Sequence, residues 1–123
     1  MKWITFIGNE EFDLNNIKSI KHYNSIRSYD APEIKNRYCI DYGEKGYIFY
    51  DYCDIISDYE ENELKNIPFK NPHFIMMLYT SVELLKSILS QDNFIRGIYV
   101  DDDDGNIIPI EQFIEFINSS IHK

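Results

Sequence analysis

Asn36-Arg37-Tyr38-Cys39-Ile40-Asp41-Tyr42-Gly43-Glu44-Lys45-Gly46-Tyr47-Ile48-Phe49-Tyr50-Asp51-Tyr52-Cys53 is the stretch whose reading decides the fold. Two β-prone runs, 36–42 and 47–53, flank a Gly-Glu-Lys-Gly connection, the pattern of an antiparallel hairpin. With the turn centred on Glu44-Lys45, Ile40 faces Phe49, Tyr42 faces Tyr47 and Cys39 faces Tyr50. Cys53 then lies opposite Asn36, far from Cys39. That register argues against a Cys39–Cys53 bond, which needs Cα atoms within about 7 Å. Both faces of the hairpin carry apolar or aromatic residues, which places it centrally in the sheet.

The segments around the hairpin supply the remaining elements. Trp3 to Ile7 is apolar and β-prone and reads as a buried strand. Asp13 is a good N-cap for a short helix in which Leu14, Ile17 and Lys21 share a face. Residues 22–35 carry no clear period, and Pro32 begins a helical turn or a loop. Ser57-Asp58-Tyr59-Glu60 has the form of a capping box, opening a short acidic helix that ends before Pro68. Phe74 to Tyr79 is the most apolar strand. Thr80 or Ser81 caps the helix after it, with Val82, Leu85, Ile88 and Leu89 as its stripe. Phe94 to Val100 reads as a strand, Asp104-Gly105 as a tight turn and Asn106 to Ile108 as a short return strand. Pro109 suits the first position of a final helix whose inner stripe is Ile110, Phe113, Ile114, Ile117 and Ile121. Interspersed strands and helices with an antiparallel hairpin give an α+β class: a single-layer mixed, mostly antiparallel sheet with helices packed on it. No linker or repeat divides the chain, so residues 1–123 read as one domain, long enough to bury a core of its own.

Charge is distributed unevenly. Residues 1–45 hold seven acids and seven bases, whereas residues 46–123 hold fourteen acids and five bases and so carry the whole net charge of −9. Two stretches concentrate it: Asp51 to Glu63, with six acids and no base, and Asp101-Asp102-Asp103-Asp104. Such a field attracts cations and repels nucleic acid, whose phosphates need Lys and Arg. Tyr50, Tyr52 and Tyr59 interleave with the first stretch. Aromatic rings beside carboxylates offer apolar area together with charge, a combination that protein interfaces use. The partner-binding candidates are therefore Asp51, Asp54, Asp58, Tyr59, Glu60, Glu61 and Glu63 with Asp101, Asp102, Asp103 and Asp104. A solvated helix face and a solvated hairpin tip are the plainer readings of the same two stretches.

The parts of a catalyst are missing from the pattern. His22, His73 and His122 stand apart in sequence. Cys39 and Cys53 read as buried strand thiols without the basic or helix N-terminal setting that activates a nucleophile. No Cys-x-x-Cys or His-Glu-x-x-His spacing points to a transition metal, and Gly8, Gly43, Gly46, Gly97 and Gly105 make no phosphate loop. The expectation is a non-enzyme without cofactor. One alternative stays open: with Gly105 at the sixth position of a calcium loop, Asp102, Asp104 and Glu111 fall at ligand positions, although Val100 occupies the first. The alternative reading is thus a small regulatory domain binding calcium or another ligand near Asp101–Glu111. The apolar start of the chain stops at Gly8 and is followed by Glu10 and Glu11, unlike a signal peptide. No run approaches the ~20 apolar residues of a membrane span, and two cysteines are too few for a secreted disulfide scaffold. A cytoplasmic protein is expected. The abundance of Ile, Asn, Lys, Asp and Tyr matches an AT-rich bacterial coding bias.

Two segments carry a resemblance: the acidic, Tyr-rich run Asp51 to Phe69, ending Asn-Ile-Pro-Phe, and Arg96 to Phe116, with Tyr-Val-Asp-Asp-Asp-Asp-Gly-Asn-Ile-Ile-Pro-Ile-Glu-Gln-Phe. In these the chain resembles small acidic bacterial immunity proteins of polymorphic-toxin and contact-dependent-inhibition systems. The resemblance implies an inhibitor that binds one cognate toxin domain, often a basic nuclease, and covers its active site. It transfers no individual functional residue.

Overall fold

A computed structural model describes residues 1–102 and 104–119. Seven strands form one sheet: β1 (Lys2–Gly8), β2 (Arg27–Asp30), β3 (Arg37–Asp41), β4 (Tyr47–Cys53), β5 (His73–Tyr79), β6 (Tyr99–Asp101) and β7 (Ile107–Pro109). Their spatial order is β2-β3-β4-β5-β1-β6-β7. Every strand pairing among the described residues is antiparallel, so the class is α+β with an antiparallel rather than a mixed sheet. Four helices accompany it: α1 (Leu14–Lys18), α2 (Glu61–Leu64), α3 (Val82–Leu89) and α4 (Ile110–Ser119).

The hairpin forms as β3 and β4, inside the sheet, but its register differs by one residue from the expected one. Cys39 pairs with Phe49, Ile40 with Ile48 and Asp41 with Tyr47. The cause is the loop. Gly43–Lys45 makes a 3-10 turn, the Asp41 carboxylate takes the Gly43 N–H at 2.7 Å, and Gly43 and Gly46 adopt positive φ of 68° and 119°. Five residues therefore connect the strands instead of four. Because side chains alternate, this slip decides which residues share a face. Both cysteines are free thiols.

The side chains sort into two faces through the register. Ile4, Phe6, Ile40, Ile48, Tyr50, Ile75, Met77, Tyr79 and Val100 point to the face covered by α1, α3 and α4. There they meet Ile17, Leu84, Leu85, Ile88, Leu89, Ile110, Phe113 and Ile117. Such a core, with Phe6, Ile40, Ile48 and Tyr50 at zero exposure, is the dominant source of stability. The opposite face is covered at one end only. There Ile7 and Phe74 pack under Ile67, with Ile55, Tyr59, Leu64, Phe69, Tyr99 and Ile107 around them.

Several local expectations are corrected. Residues 27–30 form edge strand β2, whose Arg-Ser-Tyr-Asp composition hides it from a hydrophobic pattern and whose pairing to β3 alone specifies it. Glu60, not Ser57, makes the capping box with Glu63; Ser57 lies in a separate 3-10 turn. Ser81 caps α3, while the Thr80 hydroxyl accepts the Tyr47 N–H. Val82 is exposed and Leu84 takes its place in the buried stripe. The strand expected over 94–100 shrinks to Tyr99–Asp101, since Gly97 turns the chain at φ 82° and its N–H binds the Glu111 carboxylate. Pro109 ends β7, and α4 starts one residue later. Ile110, Phe113 and Ile117 are buried and Ile114 packs beside them. Ile121, His122 and Asp103 lie outside the described residues.

Candidate functional site

Asp13 and the α2 capping box fix the entry of short helices, but a tyrosine brings the two acidic stretches together. The segment after β4 runs across the end of the open sheet face, through a 3-10 turn at Ile56–Asp58 and into α2. Its Tyr59 ring stacks on Phe74, with centroids 5.3 Å apart at 17°. The Tyr59 hydroxyl donates to Asp101 Oδ2 at 2.8 Å. Burial first, then the Asp101 carboxylate, hold the Tyr59 phenol far above its ordinary pKa, so it stays a donor. Tyr59 of the first stretch and Asp101 at the start of the second are thereby neighbours in space, whereas Asp104 lies further along the hairpin, near Tyr79.

Within this region the carboxylates differ. Asp54, Asp58, Glu60 and Glu61 are exposed, and Glu63 is half-buried with an oxygen on the Glu60 N–H at 2.9 Å. Asp51 does not belong to a free anionic surface: Arg37 grips it bidentately, with both N···O distances at 2.7 Å. Asp102 is committed to its own turn. Its Oδ1 accepts the N–H groups of Asp104 and Asn106 at 2.9 and 3.1 Å, and its Oδ2 takes the Asn106 amide at 2.9 Å. Asp104 is exposed at the hairpin tip; Asp103 is outside the described residues. The residues before Val100, where a calcium loop would have its first helix, are not helical: Gly97 turns the chain and β6 begins at Tyr99. Among the described residues no three His, Cys, Asp or Glu side chains group to hold a metal ion.

The tyrosines also separate. Tyr50, interleaved with the first acidic stretch, is fully buried and presents no area to a partner. It meets a partner that sequence separation concealed: His22, itself buried, has Nε2 2.7 Å from the Tyr50 hydroxyl and Nδ1 3.1 Å from the Ile20 carbonyl. A carbonyl needs a donor, so Nδ1 carries the proton and Tyr50 donates to Nε2. Burial lowers the His22 pKa and raises that of Tyr50, consistent with two neutral groups. Tyr52 shares His73 Nδ1 with the Phe12 carbonyl, each at 3.1 Å. Both imidazoles are thus engaged by groups within the fold.

A cavity of about 290 Å³ lies between the end of β4 and the start of β5, lined by Tyr52, Cys53, Asp54, Asn71 and His73. It holds a thiol and an imidazole, yet burial, and then Asp51, push the Cys53 thiol up, against thiolate formation. Burial does the same to Cys39.

The remainder of the second sheet face lies open, and no sequence signal marked it. One row of paired residues crosses five strands: Tyr29, Cys39, Phe49, Leu78 and Trp3. The next contains Arg37, Asp51, Met76, Thr5 and Asp101. Trp3 is 41% exposed and Phe49, Met76 and Leu78 are half-buried, while Cys39 and Thr5 in the same rows are buried. The true hairpin register, which puts Phe49 beside Cys39, was needed to see this row. No helix of the described residues is long and apolar enough to cross a membrane. No family model, no curated protein and no solved structure matches this chain.

Proposed function

We propose that this protein is an immunity-type inhibitor that binds and neutralises a cognate toxin domain with a basic, nuclease-like surface. The observation that carries the reading is the Tyr59–Asp101 hydrogen bond, which ties the first acidic stretch to the start of the second. Asp54, Asp58, Glu60 and Glu61 are exposed there, and Asp104 is exposed on the adjoining hairpin. A phosphate-binding enzyme presents Lys and Arg at its active site, and an anionic surface competes for them. Charge of this kind speeds encounter and selects the partner more than it sets the final affinity. The calcium alternative is the weaker reading, because the Asp102 carboxylate is already engaged within its loop.

The test is co-expression with the product of the adjacent gene, followed by co-purification and rescue of growth. The combined variant Asp54→Asn, Asp58→Asn, Glu60→Gln, Glu61→Gln weakens capture and abolishes its salt dependence. Unchanged capture and salt dependence, or a neighbouring product without toxicity or binding, refutes the proposal.

A further inference from the structure

We infer that the open half of the second sheet face is the docking surface for the partner, and that it receives a cationic segment carrying apolar side chains. The inference rests on the inhibitor reading and adds where contact is made. Trp3, Phe49, Met76 and Leu78 lie on the same face of β1, β4 and β5. Beside Phe49 is a depression of about 240 Å³ lined by Tyr29, Glu33, Ile34, Arg37 and Cys39, and Ile34 is 47% exposed. A contiguous aromatic and aliphatic patch with a socket is the usual centre of an interface, where rigid rings supply area at low entropic cost.

Charge decides between occupants. The two arginines of this face are already matched: Arg37 by Asp51 at 2.7 Å, and Arg27 by Asp41 at 3.3 Å. The segment 54–72, which bounds the patch where Tyr59 stacks on Phe74, carries five acids against Lys65 and Lys70. On that side of the patch the charge is therefore net negative. A second copy of the chain would bring another net charge of −9 to the contact. A partner with Lys or Arg flanking apolar side chains fits both features.

Trp3 is the sole tryptophan and sits in the patch, so its emission reports occupancy directly. The probes are a ten-residue peptide alternating arginine with leucine, a deca-arginine peptide and a glutamate–leucine counterpart. Titration followed by fluorescence and calorimetry is expected to show saturable binding of the arginine–leucine peptide with a blue shift of Trp3. Deca-arginine should bind at least tenfold more weakly, and the glutamate peptide should not bind. Leu78→Ser and Met76→Ser, each on the half-exposed face, should weaken the arginine–leucine peptide about tenfold, with circular dichroism verifying the fold. Binding that leaves Trp3 emission and the Leu78→Ser affinity unchanged, but is lost in the four-site amide variant above, overturns the open-face assignment and leaves the acidic inhibitor surface standing. Binding insensitive to both sets of variants overturns both. A dimer in sedimentation that Leu78→Ser converts to monomer assigns the face to a second copy and also overturns the inference.

Discussion

Replacing Tyr59 with Phe removes one hydroxyl and nothing else that packs. The ring keeps its stack on Phe74, and the lost element is the 2.8 Å donation to Asp101. A hydrogen bond to a charged acceptor contributes about 1.5–3 kcal/mol when shielded. Tyr59 and Asp101 are both half-exposed, so water competes and the contribution falls below that range, to about 1 kcal/mol. For a chain of this length that is roughly a 4 °C drop in Tm. Tyr59→Ala also loses the ring and should cost about 2 kcal/mol more. Urea unfolding followed by circular dichroism measures each variant. A double-mutant cycle with Asp101→Ala isolates the pair, with an expected coupling near 1 kcal/mol. Hydrogen exchange at Leu64, Asn66 and Ile67 should quicken in Tyr59→Phe, because their N–H groups close the α2 segment onto Glu60, Glu63 and Leu64. A coupling within 0.3 kcal/mol of zero (roughly the additivity error) with unaltered exchange would refute the reasoning. The segment would then be held by apolar packing alone, and nothing specific would keep the acidic stretches together.

Three further outcomes follow from the geometry. His22 is neutral when folded with its pKa lowered by burial, so the unfolded chain binds more protons; stability is full above pH ~6.5 and falls as pH drops through the lowered folded value, by at most about 1.4 kcal/mol per unit. A Tm profile between pH 7.5 and 5 that is equally steep in His22→Gln would contradict this. Gly46→Ala should cost about 1–3 kcal/mol, since φ is 119° there and a Cβ would strike the Thr80 hydroxyl that accepts the Tyr47 N–H; a wild-type Tm speaks against that turn. Both thiols should react slowly with iodoacetamide at pH 8, Cys53 ahead of the more buried Cys39 and Cys39 on the order of tenfold or more below a free peptide thiol. Mass spectrometry reads the order, and fast labelling at Cys39 would contradict its burial.

The sequence by itself determined whatever local chemistry writes into neighbouring residues. Alternating β-prone runs beside glycines announced β3 and β4, the apolar run announced β5, Asp13 and the Thr80-Ser81 pair announced helix starts, and the count of acids established the anionic half. The strand-poor composition of residues 27–30 could not announce β2, because an edge strand with little buried surface is specified by its neighbour's hydrogen bonds. Tertiary structure alone decided the pairing of His22 with Tyr50, the neutralisation of Asp51 by Arg37 and the meeting of Tyr59 with Asp101. These contacts join residues 14 to 42 positions apart, and no short-range pattern encodes them. The hairpin register belongs with them. One extra loop residue, set by two positive-φ glycines and an Asp41 carboxylate, moved every side chain of one strand relative to the other and so chose which aromatics face the solvent.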